Sequence, residues 1–131
     1  MVGRFVGMGA VFGLLAVAFG AFGAHALKGS LPVNMLAAYQ TGVQYQFFHA
    51  LALLLVAVLL QLGSGGERFL HWSGKLFVAG IILFSGSLYG LALGGPTWLG
   101  PVTPLGGLCF LAAWALLFMA GLKMKQNNDV C

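Results

Sequence analysis

The sequence predicts an all-α integral membrane protein: a four-helix bundle with a short interfacial helix between spans 1 and 2. Three observations lead there. Four apolar runs, at about residues 4–27, 43–62, 72–93 and 103–122, take up about two thirds of the 131 residues. Each is close to the roughly 20 residues needed to cross a bilayer's hydrocarbon core as a helix. The chain is 60% hydrophobic and only 6% charged, whereas a soluble domain carries about 25% charge. Its six basic residues are scattered at segment ends, which is the pattern of topology signals and not of a nucleic-acid patch. The length leaves room for a single membrane domain over 1–131 and none for a soluble catalytic domain.

The basic residues also set an orientation. Arg4 precedes the first span, Arg68 and Lys75 flank the second loop, and Lys123 and Lys125 follow the last span. With four spans these five share one side and Lys28 falls on the other. Positive charge is retained on the cytoplasmic side, so both termini are expected there.

The first span is rich in small residues. Gly9, Gly13, Ala16, Gly20 and Gly23 recur at spacings of 4, 3, 4 and 3, on one helical stripe. In lipid no hydrophobic force draws helices together, so close backbone approach must do it. The stripe reads as a packing seam against another span or another protomer, with a lipid or quinone groove as the alternative. Arg4, the apolar run and Ala24-His25-Ala26 also resemble a signal peptide. The run exceeds the 7–15 residues of a signal core, so a retained span is expected.

Gly29-Ser30-Leu31-Pro32 reads as a turn and a helix start, with Ser30 or Leu31 capping and Pro32 in the first turn. Residues 32–41 are only moderately apolar, which suggests a helix lying in the outer interface. Gly42 is then a hinge into the second span. Taken as one helix, residues 32–62 would reach about 46 Å, more than the core thickness, so a bend near Gly42 or a strong tilt is expected. The glycine-rich residues 63–68 form a flexible cytoplasmic loop, and Trp72 suits the interfacial belt of the third span. Residues 94–102 form an irregular, uncharged loop with Trp98 at the outer interface, either on the surface or folded back. Thr103-Pro104 then supplies an N-cap and a first-turn proline.

This orientation gathers most intramembrane polar residues in the outer half. His25 ends the first span, Thr41, Gln44, Tyr45, Gln46 and His49 begin the second, Ser85, Ser87 and Tyr89 approach from the third, and Thr103 opens the fourth. Thr41, Tyr45 and His49 share a stripe, with Gln46 on an adjoining face. Polar groups in hydrocarbon must pair, so this cluster should point inward. It reads first as an interhelical hydrogen-bond network that fixes register. A proton relay or polar substrate pocket centred on His49 is the functional alternative. A metal site on His25 and His49 would hold two imidazoles and no third ligand, so no metal is expected. His71 belongs to the opposite boundary. Cys109 reads as apolar filler and Cys131 as a terminal thiol outside any prenylation box.

No Asp, Glu, Lys or Arg is expected inside the membrane, which counts against ion-coupled transport. A Glu-x-x-His di-iron pattern, a haem-type histidine pair, a nucleotide loop and a nucleophile–base pair are all absent from the sequence. No enzymatic activity and no cofactor are expected.

Four runs resemble a known family. They are Gly20-Ala21-Phe22-Gly23-Ala24-His25-Ala26-Leu27, Thr41-Gly42-Val43-Gln44-Tyr45-Gln46-Phe47-Phe48-His49-Ala50-Leu51-Ala52, Phe84-Ser85-Gly86-Ser87-Leu88-Tyr89 and Leu99-Gly100-Pro101-Val102-Thr103-Pro104-Leu105-Gly106-Gly107. In this order they are similar to the YgdD/YwdK-like family, domain-of-unknown-function 423, and the resemblance covers nearly the whole chain. It implies a small four-span protein of the bacterial inner membrane, with eukaryotic relatives that include a small mitochondrial transmembrane protein. It implies no established activity, so no catalytic residue carries over. The expected role is a non-enzymatic structural or accessory component embedded in the lipid bilayer, as a homo-oligomer or as a subunit of a larger complex. A small carrier or channel using the cluster around His49 and a lipid- or quinone-binding module are the alternatives.

Overall fold

A computed structural model describes residues 1–125. Among them the chain is helical, with no strand. Helix α1 (Val2–Phe22) runs on through a π-helical turn, Gly23–Leu27. Helix α2 is Val33–Leu62. Helix α3 (Glu67–Gly80), a second π turn (Ile81–Ser85) and α4 (Gly86–Ala92) form one continuous third span. A 3₁₀ turn at Thr97–Leu99 leads into α5 (Val102–Lys123). The four spans long and apolar enough to cross a membrane are Val2–Leu27, Val33–Leu62, Glu67–Ala92 and Thr97–Lys123.

Each span turns a ring of large apolar side chains outward, among them Leu14, Val17, Phe48, Ile82, Leu111 and Phe118. An outward apolar ring is what a helix solvated by lipid requires. Helix α1 packs along α2, α5 packs along α3, and α2 packs against the third span. The core holds Phe5, Leu53, Val56, Leu70, Phe77 and Phe110. Small residues admit these rings. A Cβ on Gly74 would lie 2.5 Å from the Phe5 ring, and one on Gly80 would collide with Phe110. Gly106 sits against the backbone of Phe84. Such contacts supply the close packing that holds helices together in lipid.

Gly9, Gly20 and Gly23 of the α1 seam face α2. Gly9 and Ala16 are buried, Gly9 under Leu54 and the Ala50 carbonyl, Gly20 beside Val43, and Gly23 under the Tyr39 ring. Gly13 has open space where a Cβ would stand.

Several expectations are corrected. The interfacial helix is not a separate element, because residues from Val33 onward belong to α2, which runs unbroken to Leu62. Gly42 does not interrupt the helix: it is buried within α2, where the absence of a Cβ leaves room for the Tyr89 ring and Leu88. Pro32 is the N-cap of α2 and not its first turn, while the Ser30 hydroxyl donates back to the Ala26 carbonyl. The third span starts at Glu67, earlier than expected, and α5 is capped by Pro101 and not by Thr103. The turn after α2 is held against the end of α5. The Lys125 N–H donates to the Ser64 carbonyl at 2.7 Å, and Gly65 and Gly66 adopt positive φ close to Lys123 and Ala120. Residues 94–102 lie on the outside, with Trp98 65% exposed, and Leu99 tucks against Gly90 and Gly95. The expected terminal thiol Cys131 lies outside the described residues.

Candidate functional site

The polar side chains of the second span do two different things. Thr41 donates to the Ala37 carbonyl of its own helix at 3.0 Å, which gives it no part in any cluster. Gln46, one face round, is 3% exposed and bonded at both ends. Its Nε2 donates to the Phe12 carbonyl of α1 at 2.8 Å, and its Oε1 accepts from the Tyr89 hydroxyl at 2.6 Å. One amide thus joins three spans.

His49 is 6% exposed and stands just past the middle of α2. Its Nδ1 lies 2.7 Å from the Tyr45 carbonyl, and its Nε2 lies 3.1 Å from the indole Nε1 of Trp114. A carbonyl only accepts and an indole N–H only donates. The network therefore assigns the proton to Nδ1 and a lone pair to Nε2, a neutral imidazole. The ring lies flat on Phe110, with centroids 3.6 Å apart and planes 8° apart. Tyr45 stacks on Phe84 at 4.7 Å and reaches the same aromatic group.

The third span contributes three more bonds. The Ser85 hydroxyl, at the end of the π turn, donates to the Gly42 carbonyl at 2.7 Å. Ser87 donates to the Phe84 carbonyl, so its oxygen receives the Thr103 hydroxyl proton at 2.5 Å. The Tyr89 ring meets Phe19 edge-on and lies beside Tyr39.

His25 does not join the cluster. It is exposed in the π turn that ends the first span, far along α1 from the buried His49, so the two imidazoles do not meet. Along the spans, Tyr89, Ser87 and Thr103 lie toward the end away from the termini, and Gln46 and His49 lie on either side of the middle of α2.

Three participants escaped sequence reasoning. Tyr39 donates to the Phe19 carbonyl at 2.7 Å, tying α2 to α1. Ser73 is fully buried and donates to the Ala113 carbonyl of α5 at 2.8 Å. Trp114 holds His49. A signal for Trp114 was present: Trp72 and Trp98 stand at span ends, but Trp114 lies inside a span, where an indole N–H needs an acceptor.

Among the described residues, every buried side-chain nitrogen and oxygen has a partner. Beside the network a groove of about 600 Å³ opens between α2 and α5, lined by Tyr45, His49, Phe84, Phe110 and Trp114, with Gly107 at its edge. Its walls are almost wholly apolar, and it faces the lipid.

Fold and site together define a small four-span integral membrane protein whose intramembrane polar groups tie its helices to one another. The family described as "Protein of unknown function (DUF423)" matches residues 19–107. The chain is 46% identical to the UPF0382 membrane protein YwdK of Bacillus subtilis over 119 residues, covering 91% of this chain and 96% of that protein. It is 41% identical to the UPF0382 inner membrane protein YgdD of Escherichia coli over 119 residues, covering 91% of this chain and 89% of that protein. A UPF0382 membrane protein of Staphylococcus aureus is 42% identical over 120 residues, 91% of this chain and 95% of its own length. The chain belongs to this family of membrane proteins of unknown function. No solved structure matches it.

Proposed function

We propose that the protein is a non-enzymatic structural or accessory component of a membrane assembly, in the inner membrane with both termini cytoplasmic. One observation carries the reading: the polar side chains buried within the bundle are consumed by bonds inside the chain. A carrier would need polar groups free to replace a solute's hydration. Here both ends of the Gln46 amide and both nitrogens of His49 are engaged. A proton relay through His49 would also have to break the Trp114 bond, since a protonated Nε2 would face an indole N–H. The orientation rests on the charge asymmetry between Lys28 and the five other basic residues.

The test is reconstitution of the purified chain in lipid vesicles. Entry of small neutral solutes should match that of protein-free vesicles. Flux that Gln46→Ala or His49→Ala abolishes, with the fold intact, would refute the accessory role. A reporter fused after Lys125 should be active only on the cytoplasmic side.

A second reading, a lipid- or quinone-binding module, is favoured by the aromatic groove between α2 and α5. Native mass spectrometry of protein taken directly from its membrane should then retain one such ligand, and Gly107→Leu should expel it.

A further inference from the structure

We propose that the lipid-facing side of the α1–α2 pair is a self-association surface, where Gln44 and Gln40 bond to the same side chains of a second copy of this chain. This rests on the reading of the protein as part of an assembly, and it names the partner and the surface.

The argument starts from depth. Gly20 of α1 stands beside Val43, and Gln46 reaches the Phe12 carbonyl. Gln44 therefore lies alongside α1 between Gly20 and Phe12. The first span continues past Gly20 to Leu27, about 10 Å further at 1.5 Å per residue. Gln44 is thus about 10 Å in from the end of the first span, deep enough to fall within the hydrocarbon of a core about 30 Å thick, with Gln40 one turn nearer the boundary.

Both glutamines are exposed. With Gly20, Gly23, Tyr39 and Val43 they line an open crevice of about 340 Å³. Neither side chain is hydrogen-bonded within the described residues, whereas Gln46, His49, Ser85, Ser87 and Tyr89 all are. Water satisfies an exposed amide on a soluble protein, but hydrocarbon does not. The Gln44 amide at this depth needs a partner from another molecule, and Gln40 one turn away extends the same polar edge.

The chemistry selects a second copy. A carboxamide carries two donors and an acceptor, so two glutamines facing each other across a twofold axis satisfy one another. Such an axis makes the same patch serve both subunits. No basic or acidic residue stands on this face to recruit an opposite charge. The neighbouring surface suits close approach. A Cβ placed on Gly13 would meet no atom within 4 Å, and the α2 face continues below Gln44 through exposed Phe47, Leu51 and Val58. Small residues beside an interhelical amide bond are the usual means of helix association in lipid.

The experiment reconstitutes the full chain, labelled at its C-terminus, in phosphatidylethanolamine–phosphatidylglycerol vesicles. Photobleaching steps are counted as the protein-to-lipid ratio falls. The wild-type chain should form dimers, and Gln40→Leu with Gln44→Leu should weaken them about tenfold. Helicity and thermal unfolding of that variant should not fall, because neither amide is bonded inside the chain. A second measurement places Gln44→Cys in a chain carrying Cys109→Ser and Cys131→Ser, where mild oxidation should yield a covalent dimer. Monomers at every dilution would overturn the proposal. So would dimers indifferent to the double variant, or an absent cross-link despite dimerisation. None of these results bears on solute flux, so the accessory role would be judged separately.

Discussion

The indole N–H of Trp114 donates to the Nε2 of His49 at 3.1 Å, and this bond joins α5 to α2 beside an open groove. The two helices are not principal packing partners. They meet through side chains, the His49–Phe110 stack and this hydrogen bond. The bond also fixes the imidazole tautomer, and the tautomer in turn ties the ring to the Tyr45 carbonyl. Comparable ties link the other neighbouring spans: Gln46 to Phe12, Tyr89 to Gln46, Ser73 to Ala113 and Thr103 to Ser87. The polar residues of this bundle bond its helices to one another.

Trp114→Phe should destabilise the bundle by about 1–2 kcal/mol, because it leaves His49 Nε2 without a donor in an apolar setting. The double variant His49→Phe with Trp114→Phe should cost less than the sum of the two single changes. A double-mutant cycle from unfolding in detergent or bicelles measures the coupling, with about 0.6 kcal/mol as the typical value for membrane hydrogen bonds. Strict additivity would mean that the bond contributes nothing.

Gln46→Leu should be worse than Tyr89→Phe. The phenylalanine variant removes one donor from Gln46 Oε1, but leaves its Nε2 on the Phe12 carbonyl and the ring on Phe19. The leucine variant strands the Tyr89 hydroxyl and removes the tie to α1 together. The expected ordering is a loss below about 1 kcal/mol for Tyr89→Phe and a larger one for Gln46→Leu. Unfolding of the two single variants side by side tests it.

Much of this architecture is legible in the sequence, for identifiable reasons. Hydropathy marks the spans because lipid demands apolar side chains over a fixed length. The Gly9–Gly23 stripe is legible because helical periodicity alone puts those positions on one face. Facing is harder. Residue order puts His25 and His49 within reach of one region, but only the π turn and the packing of α1 show that His25 looks outward. The start of α2 was obscured by Asn34, Gln40 and Thr41, which lower its hydropathy. What a glycine at position 42 makes room for is the Tyr89 ring from a distant span, and local pattern holds no trace of that. Trp114 is half exposed, but its nitrogen turns inward to His49, a facing that an apolar run does not encode.

Glycine substitutions should separate by what stands opposite. Gly106→Ala forces a Cβ onto the Phe84 backbone, which cannot swing aside as a side chain does. It should cost about 1–3 kcal/mol or prevent folding. Gly13→Ala meets nothing within 4 Å and should be neutral or slightly stabilising to the chain, because alanine restricts the unfolded backbone. Equal effects of the two on thermal unfolding would contradict the packing described.

The turn between α2 and α3 offers a sharper contrast. Gly29 and Gly66 both have positive φ, 87° and 72°. A Cβ on Gly29 would project into open space, whereas one on Gly66 would lie 2.6 Å from the Ala120 carbonyl oxygen. Gly29→Ala should therefore cost only the left-handed strain, about 1–2 kcal/mol. Gly66→Ala should cost that strain and also push the turn away from α5, weakening the Lys125 N–H bond to the Ser64 carbonyl. Amide hydrogen exchange at Lys125 should accelerate in Gly66→Ala and stay unchanged in Gly29→Ala. Matching exchange in the two variants would show that the end of α5 does not depend on this turn.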